Sequence, residues 1–238
     1  MDLKETKILG NNIDQHWYYH SKLDYIISLL GDLEFEAILD VGAGSGFFSK
    51  GLLKANKSQV AELMDIGYEK EHIEDVNGKE LHYINKVTHS NASLVLMIDI
   101  VEHIDDDVAF LRSYSGVVNN AMFIICVPAF NFMWSGHDTF LGHKRRYTIQ
   151  NLSKTINSAG LKIDRINYYY AGVFPLAFIV RMINKYLISA DSGSSLKQHS
   201  KTTNAILYSI SKLEAFIAKY NKLFGLSIFA VVKNSSKL

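Results

Sequence analysis

An open, mostly parallel α/β sheet of seven strands with helices on both faces is the fold class this sequence predicts, and three observations predict it. Short apolar runs of strand length alternate with helix-periodic segments along most of the chain, the order expected of βαβ units. The runs ASLVLMIDI (residues 92–100) and AMFIICVP (121–128) are nearly continuous in apolar residues, as strands buried on both faces require. In ILDVGAGSG (38–46), the strand-like run Ile38, Leu39, Asp40 and Val41 leads into glycines at 42, 44 and 46, with Phe47, Phe48, Leu52 and Leu53 at helical spacing behind them. Strand, glycine turn and helix in that order turn backbone N–H groups and a helix N-terminus toward a polar ligand.

Taken in order, residues 13–30 read as an amphipathic helix, with Tyr19, Leu23, Ile26 and Leu30 on one face, Gly31 as its stop and the cluster HWYYH (16–20) in its first turns. The opening strand, glycine turn and helix follow. QVAELMDI (59–66) reads as a second strand, residues 68–76 as a charged helix and HYIN (82–85) as a short strand. After residues 92–100, Val108, Leu111, Tyr114 and Val118 outline a helix, and Pro128 closes the next strand. Residues 129–147 form a long connection rich in aromatic, histidine and basic residues. Thr148 and Gly160 then bracket a helix as N-cap and stop, and LKIDRINYYY (161–170) is the sixth strand. Two helices, about 173–188 and 202–223, flank the polar stretch ADSGSSLKQHS; Ile206, Ile210, Leu213, Ile217 and Tyr220 form a stripe on the second. LSIFAVVKN (226–234) closes the sheet, with an antiparallel orientation expected. The reading is thus a single domain, 1–238, with a helical insertion at about 172–223 before the last strand.

The bulk numbers narrow the classes. The chain has 238 residues, 48% hydrophobic and 21% charged, ordinary values for a soluble globular protein. A net charge of +1 gives no global field calling for nucleic acid or an anionic membrane. Cys126 is the only cysteine, which excludes an internal disulfide, suits a reducing cytosol and, within FIICVP, reads as a small buried hydrophobe. MDLKETKILGNN lacks the layout of a signal peptide, and the apolar run AGVFPLAFIV (171–180), about half of a bilayer span, reads as a buried helix of the insertion, with contact to a lipid-linked acceptor as the alternative. A cytoplasmic protein with no transmembrane segment is expected, with peripheral membrane contact left open.

The glycine pattern G-A-G-S-G is tighter than the dinucleotide fingerprint G-x-G-x-x-G and lacks the Lys-Ser/Thr ending of a P-loop. Asp65 stands at the end of the second predicted strand, where an acid accepts hydrogen bonds from ribose hydroxyls. LDVGAGSG resembles the first motif of class I S-adenosylmethionine-dependent methyltransferases, and MIDIVEHIDDD (97–107) resembles the motif after their fourth strand. HWYYHSK, VPAFNFMWSGHDTFLGHKRRYT, FPLAFIVRMINK and FGLSIFAVVK are similar, in order, to a bacterial type 11/12-like subgroup considered alongside surface-glycan or lipid metabolism.

That resemblance implies a Rossmann-like fold and S-adenosyl-L-methionine as cofactor. It implies that Gly42, Ala43, Gly44 and Gly46 lie along the methionine part of the cofactor, that Asp40 orients the loop and the cofactor ammonium, that Asp65 with Ile66 takes the ribose side, and that Asp99 and Ile100 flank the cofactor. The chain departs from the family's pattern after the third strand, where INKVTHSN carries no acid for the adenine amino group and Asn85 or Lys86 would substitute. It also has Val118-Asn119-Asn120 where a Gly-Gly turn is usual; Asn can take the left-handed turn conformation.

The segment WSGHDTFLGHKRRY is the expected acceptor wall. His137, Asp138 and His143 have the chemistry to position or deprotonate a hydroxyl, with His143 and His137 as candidate bases, and Arg145 and Arg146 to hold an anionic group. His16, Trp17, Tyr18, Tyr19 and His20 could close over the cofactor as a lid, with Trp17, Tyr18 and His20 as candidate acceptor contacts and Tyr19 read rather as core. His103 would contact the bound molecules or pack under the cofactor loop, and Glu102 would cap or bridge the next helix. The histidines show no metal-ligand spacing, so no metal is expected. The leading expectation is methyl transfer to oxygen of a small-molecule or glycan- or lipid-linked acceptor. The alternatives are a non-catalytic cofactor-binding partner module and, against the glycine spacing, a nicotinamide-dependent oxidoreductase. Neither the acceptor nor an oligomeric state is written in the residues.

Overall fold

A computed structural model describes residues 16–187 and 200–234. Expectations for the polar N-terminus, for a helix start at 13 and for most of ADSGSSLKQHS lie outside the described residues.

The described chain runs α1 (Trp17–Leu30), β1 (Ile38–Val41), α2 (Phe47–Lys54), β2 (Val60–Met64), β3 (His72–Asp75), β4 (Glu80–Ile84), β5 (Leu94–Ile98), α3 (Asp107–Val117), β6 (Met122–Pro128), α4 (Gly136–Leu141), α5 (Ile149–Ser158), β7 (Leu161–Tyr169), α6 (Phe174–Leu187), α7 (Lys201–Ala218) and β8 (Ser227–Asn234). One sheet contains every strand, in the order β3-β4-β2-β1-β5-β6-β8-β7. β4, β2, β1, β5 and β6 are parallel, while β8 pairs antiparallel with both β6 and β7.

Alternation along the strands feeds two cores. Ile38, Leu94, Leu96 and Ile98 face α1, α2 and α7, whereas Leu39, Val41, Val95 and Met97 face α3 and α5. Both sets are buried, which is why the central strands read as unbroken apolar runs. α1 owes its start to His16, whose side chain accepts from the Tyr18 amide; α5 owes its own to Thr148, which accepts from the Asn151 amide. Cys126 is fully buried, and Asn120 takes a φ of 53° at the turn before β6.

Four expectations are corrected. The sheet has eight strands, because residues 72–75 form β3 rather than part of a charged helix. Asn77 and Gly78, both at positive φ, close a two-residue hairpin from Val76 to Lys79. Such Asn-Gly turns match the twist of paired strands, so β3 folds back on β4 and the helix is not formed. The connection 129–147 contains α4, whose N-cap Ser135 and Asp138 make a reciprocal capping box. The second insertion helix stops at Ala218. The apolar run of the first insertion helix, read as buried, is instead open: Leu176, Ile179 and Val180 on α6 are exposed, as are Ile206, Leu213, Phe216 and Ile217 on α7. No helix among the described residues is long and apolar enough to cross a membrane.

Candidate functional site at the carboxyl edge of the sheet

The parallel strands end on one edge, and the polar residues gather there. β1 runs between β2 and β5, so the chain leaves its carboxyl end toward both halves of the sheet, the place where open α/β sheets form a ligand crevice. The glycine turn follows β1, Asp65 follows β2, and Asp99 follows β5.

Gly42, Gly44 and Gly46 all have positive φ. A Cβ on Gly42 would stand 2.8 Å from Ile100 Cδ1 and one on Gly46 2.3 Å from Leu63 Cδ2, so these two glycines are required by the protein's own packing. The Gly44 amide donates to Asp65 Oδ2 at 2.9 Å and the Gly67 amide to Oδ1 at 2.8 Å; the Tyr68 hydroxyl donates to the Gly44 carbonyl at 2.7 Å. Asp40 is buried beneath the turn and accepts from Ser49 Oγ at 2.8 Å, with burial pushing its carboxyl above the usual range. Ser45 Oγ is buried in the same loop without a hydrogen-bond partner, and Ile66 is 90% exposed beside Asp65. Asn85 and Lys86 are exposed beyond β4. A loop with an orphaned hydroxyl, a positioned acid and an uncovered apolar side chain fits an adenosyl ligand in residue types and placement.

Next to it lies an ionic cluster built on two buried side chains, Lys22 and Glu102, and the partly exposed Asp99. Asp99, at φ 53°, pairs with Lys22 Nζ, which reaches it from α1 and also donates to the Tyr18 hydroxyl at 2.8 Å. Lys22 is completely buried. Burial opposes both charges, but each holds the other: the Asp99 carboxyl lies below its ordinary range and the Lys22 ammonium well above its own. Glu102, in a 3-10 turn after β5, is also completely buried, and neither carboxylate oxygen has a hydrogen-bond partner. Burial and the neighbouring Asp99 charge push its carboxyl well up. Its expected role as a helix cap is corrected: Asp106 caps α3, accepting from the Ala109 amide at 2.9 Å.

The segment after β6 supplies the opposite wall. Asp138 receives Arg146 through two bonds, Nε at 2.7 Å and Nη2 at 3.1 Å, and His143 Nδ1 at 2.9 Å. Burial works against its charge, yet His143 and Arg146 hold the carboxyl well below the usual range. Asp138 is thus the anchor of the segment rather than a group facing an acceptor. With Nδ1 donating to Asp138, Nε2 of His143 points to Glu102 Oε1 at 3.9 Å.

These walls enclose a cavity of about 170 Å³. Trp17 and Tyr18 line it from α1, Asp99 and Glu102 from beyond β5, and His137, His143 and Arg146 from the segment after β6. Arg181 of α6 completes it, donating to the Met133 carbonyl, with burial and the Arg146 charge lowering its guanidinium to about 10.

Three expected acceptor residues are placed elsewhere. Arg145 reaches the Asp105 carbonyl at 2.8 Å and Asp107 at 3.2 Å, outside the cavity, because the chain alternates there and sends only Arg146 inward. His20 packs edge-on against Phe47 and Tyr208. His103 lies behind the lining, its ring perpendicular to that of His143 at 4.8 Å between centres. Sequence reasoning overlooked Lys22, Arg181 and the lining role of Glu102. Lys22 carried a usable signal, since it stands four residues after Tyr18 and four before Ile26 on the buried face of α1.

The strand order, the antiparallel β8 and the glycine turn after β1 together define the class I methyltransferase fold. Among solved structures, the chain is similar to one from the complex between the Haloferax volcanii Trm112 methyltransferase activator and a candidate methyltransferase. The TM-score is 0.59 at 12% identity, over 95% of this chain and 92% of that one. It is also similar to a candidate methyltransferase from Bacillus halodurans, with a TM-score of 0.52 and 11% identity over 91% of this chain and 100% of that one. Magnesium protoporphyrin IX methyltransferase from Synechocystis with bound SAH gives a TM-score of 0.52 and 12% identity, over 93% of this chain and 86% of that one. At such identities the likeness is one of fold. No protein-family model and no curated protein matches the chain.

Proposed function

We propose that the protein is an S-adenosylmethionine-dependent methyltransferase acting on oxygen of an acceptor held in the cavity above Asp99. The observation that carries this reading is the continuity of the two sites. Asp99, at the strand end expected to flank the cofactor, is also a wall of the cavity. When bound, S-adenosylmethionine supplies a methyl group on a sulfonium, already a good leaving group. The residues of the chain then have three tasks. The turn at residues 42–46 lies along the methionine portion and Asp65 with Ile66 takes the ribose side, with Asp40 fixing the turn through Ser49. Trp17 and Tyr18 cover the cavity and exclude water, so that the acceptor oxygen is held in line with little freedom. His143, which lines the cavity and is fixed by Asp138 through Nδ1, takes the acceptor proton; His137 is the second candidate on the same wall.

The acceptor class follows from α6. The same helix brings Arg181 into the cavity and carries exposed Leu176, Ile179, Val180 and Ile183 on its outer side. An exposed apolar face beside the Arg181 guanidinium suits a lipid-linked or glycan-related acceptor bearing an anionic group, met at a membrane surface.

Calorimetric titration with S-adenosylmethionine, S-adenosylhomocysteine and NAD tests the cofactor: saturation by the first two is expected, and saturation by NAD alone would sink the reading. For the base, His143→Ala should leave cofactor affinity intact and lower transfer of labelled methyl to acceptors in cell extract by about 10²–10⁴-fold; equal turnover removes His143 from that role.

A further inference from the structure

We propose that Glu102, His103 and His143 form a binding site for one divalent cation of the zinc, cobalt(II) or iron(II) type at the cavity floor. Their ligand atoms, one carboxylate oxygen and two imidazole nitrogens, all lie within 4.8 Å of one another. A zinc ion with bonds of about 2.0–2.1 Å holds its ligands about 3.4 Å apart in a tetrahedral shell. Closing this group around an ion therefore takes side-chain shifts of the order of an ångström.

Two observations point to a ligand here, apart from proximity. Glu102 is completely buried, yet both of its oxygens lack a hydrogen-bond partner, a condition buried carboxylates rarely tolerate. Lys22 is paired with Asp99 and Arg146 with Asp138, and the basic group within ion-pair distance of Glu102 is His143, at 3.9 Å. Further, His143 is oriented as a ligating histidine is. Nδ1 donates to Asp138 at 2.9 Å, which fixes the tautomer and leaves Nε2 facing Glu102 at 3.9 Å. A carboxylate behind the imidazole and an ion before it is the recurrent support of metal-bound histidine.

The ligand set chooses the class of ion. One carboxylate and two imidazoles suit zinc, cobalt or iron; magnesium and calcium ask for a shell of oxygens. Three protein ligands leave coordination positions open, and because Glu102 and His143 line the cavity those positions face it. An oxygen of a bound molecule or a water completes the shell. With the ion present, His143 Nε2 is a ligand, and loss of the acceptor proton is assisted by the ion instead. The sequence concealed the site because Glu102 and His103 are adjacent while His143 follows three elements later.

The test needs neither S-adenosylmethionine nor an acceptor, so its outcome is separate from that of the methyltransferase reading. Full-length protein freed of metal by chelator is titrated with Co²⁺ followed by visible absorption, and with Zn²⁺ by calorimetry. One ion per chain is expected, with ligand-field bands in the Co²⁺ spectrum. Glu102→Gln and His103→Ala, each checked for native circular dichroism, should bind at least tenfold more weakly. His72→Ala, at the far edge of the sheet, should match the wild type. Absence of saturable Co²⁺ and Zn²⁺ binding in the wild-type protein overturns the proposal, whatever the variants do. So does unchanged affinity in a folded Glu102→Gln or His103→Ala.

Discussion

Lys22 is the residue on which the cavity depends most. Replacing it with Met removes the cation paired with Asp99 and leaves a partly buried carboxylate uncompensated, which costs about 1–3 kcal/mol. Urea unfolding should show the midpoint of Lys22→Met falling with little change in slope, and Lys22→Met/Asp99→Asn should recover part of the loss. Gly46 makes a second residue-scale prediction. At φ 72° and with Leu63 Cδ2 2.3 Å from the site of a Cβ, Gly46→Ala should lose about 1–3 kcal/mol and weaken cofactor binding. The glycine turn and Asp65 were legible because they need particular residue types at particular spacings. Lys22, Arg181 and the orphaned Glu102 were not, because each takes its meaning from a partner brought close only by folding.

At the scale of elements, legibility followed periodicity. β1, β5, β6 and β8 were plain as apolar runs, and α1 and α5 as capped amphipathic segments, since local sequence and burial agree there. The charged stretch around residues 68–76 misled because charge suits a solvated helix and an exposed edge strand equally. Asn77-Gly78 was the deciding signal, and it acts only when a strand follows to pair with. Gly78 sits at φ 78° with open space where a Cβ would go, so Gly78→Ala should cost about 1–2 kcal/mol from backbone conformation alone, seen as a modest fall in melting temperature. The stripe on α7 shows the converse: helical periodicity was read correctly, but periodicity does not say what the stripe faces. If a membrane surface covers these helices, Leu176→Asp/Ile179→Asp should reduce sedimentation with phosphatidylglycerol vesicles and leave the circular dichroism unchanged. Equal sedimentation by the variant would dismiss that role.

At the scale of the molecule, buried phenols set the alkaline limit. Burial pushes the Tyr25 hydroxyl to about 12, and burial likewise raises Tyr147, Tyr169 and Tyr170. In the unfolded chain a tyrosine ionises near 10. A group whose folded value is raised gives its full contribution below that unfolded value and loses it as the pH climbs toward the folded one. Stability should therefore fall from about pH 10 upward, with phenolate absorbance of the buried tyrosines rising together with unfolding rather than ahead of it. Independent titration of all tyrosines before any change in circular dichroism would contradict this.

The place of β8 has a consequence for how the protein is made. Among the described strands it is the last to leave the ribosome, yet it fills an interior slot between β6 and β7. Until it emerges, β6 and β7 each present an open hydrogen-bonding edge, and the aromatic layer around Phe229, Tyr25 and Tyr169 lacks its centre. Nascent chains are thus held in a sticky, incomplete form from the completion of β7 until β8 emerges. Messages that end or pause just before residue 227 should yield aggregates or chaperone-bound chains rather than a smaller folded protein.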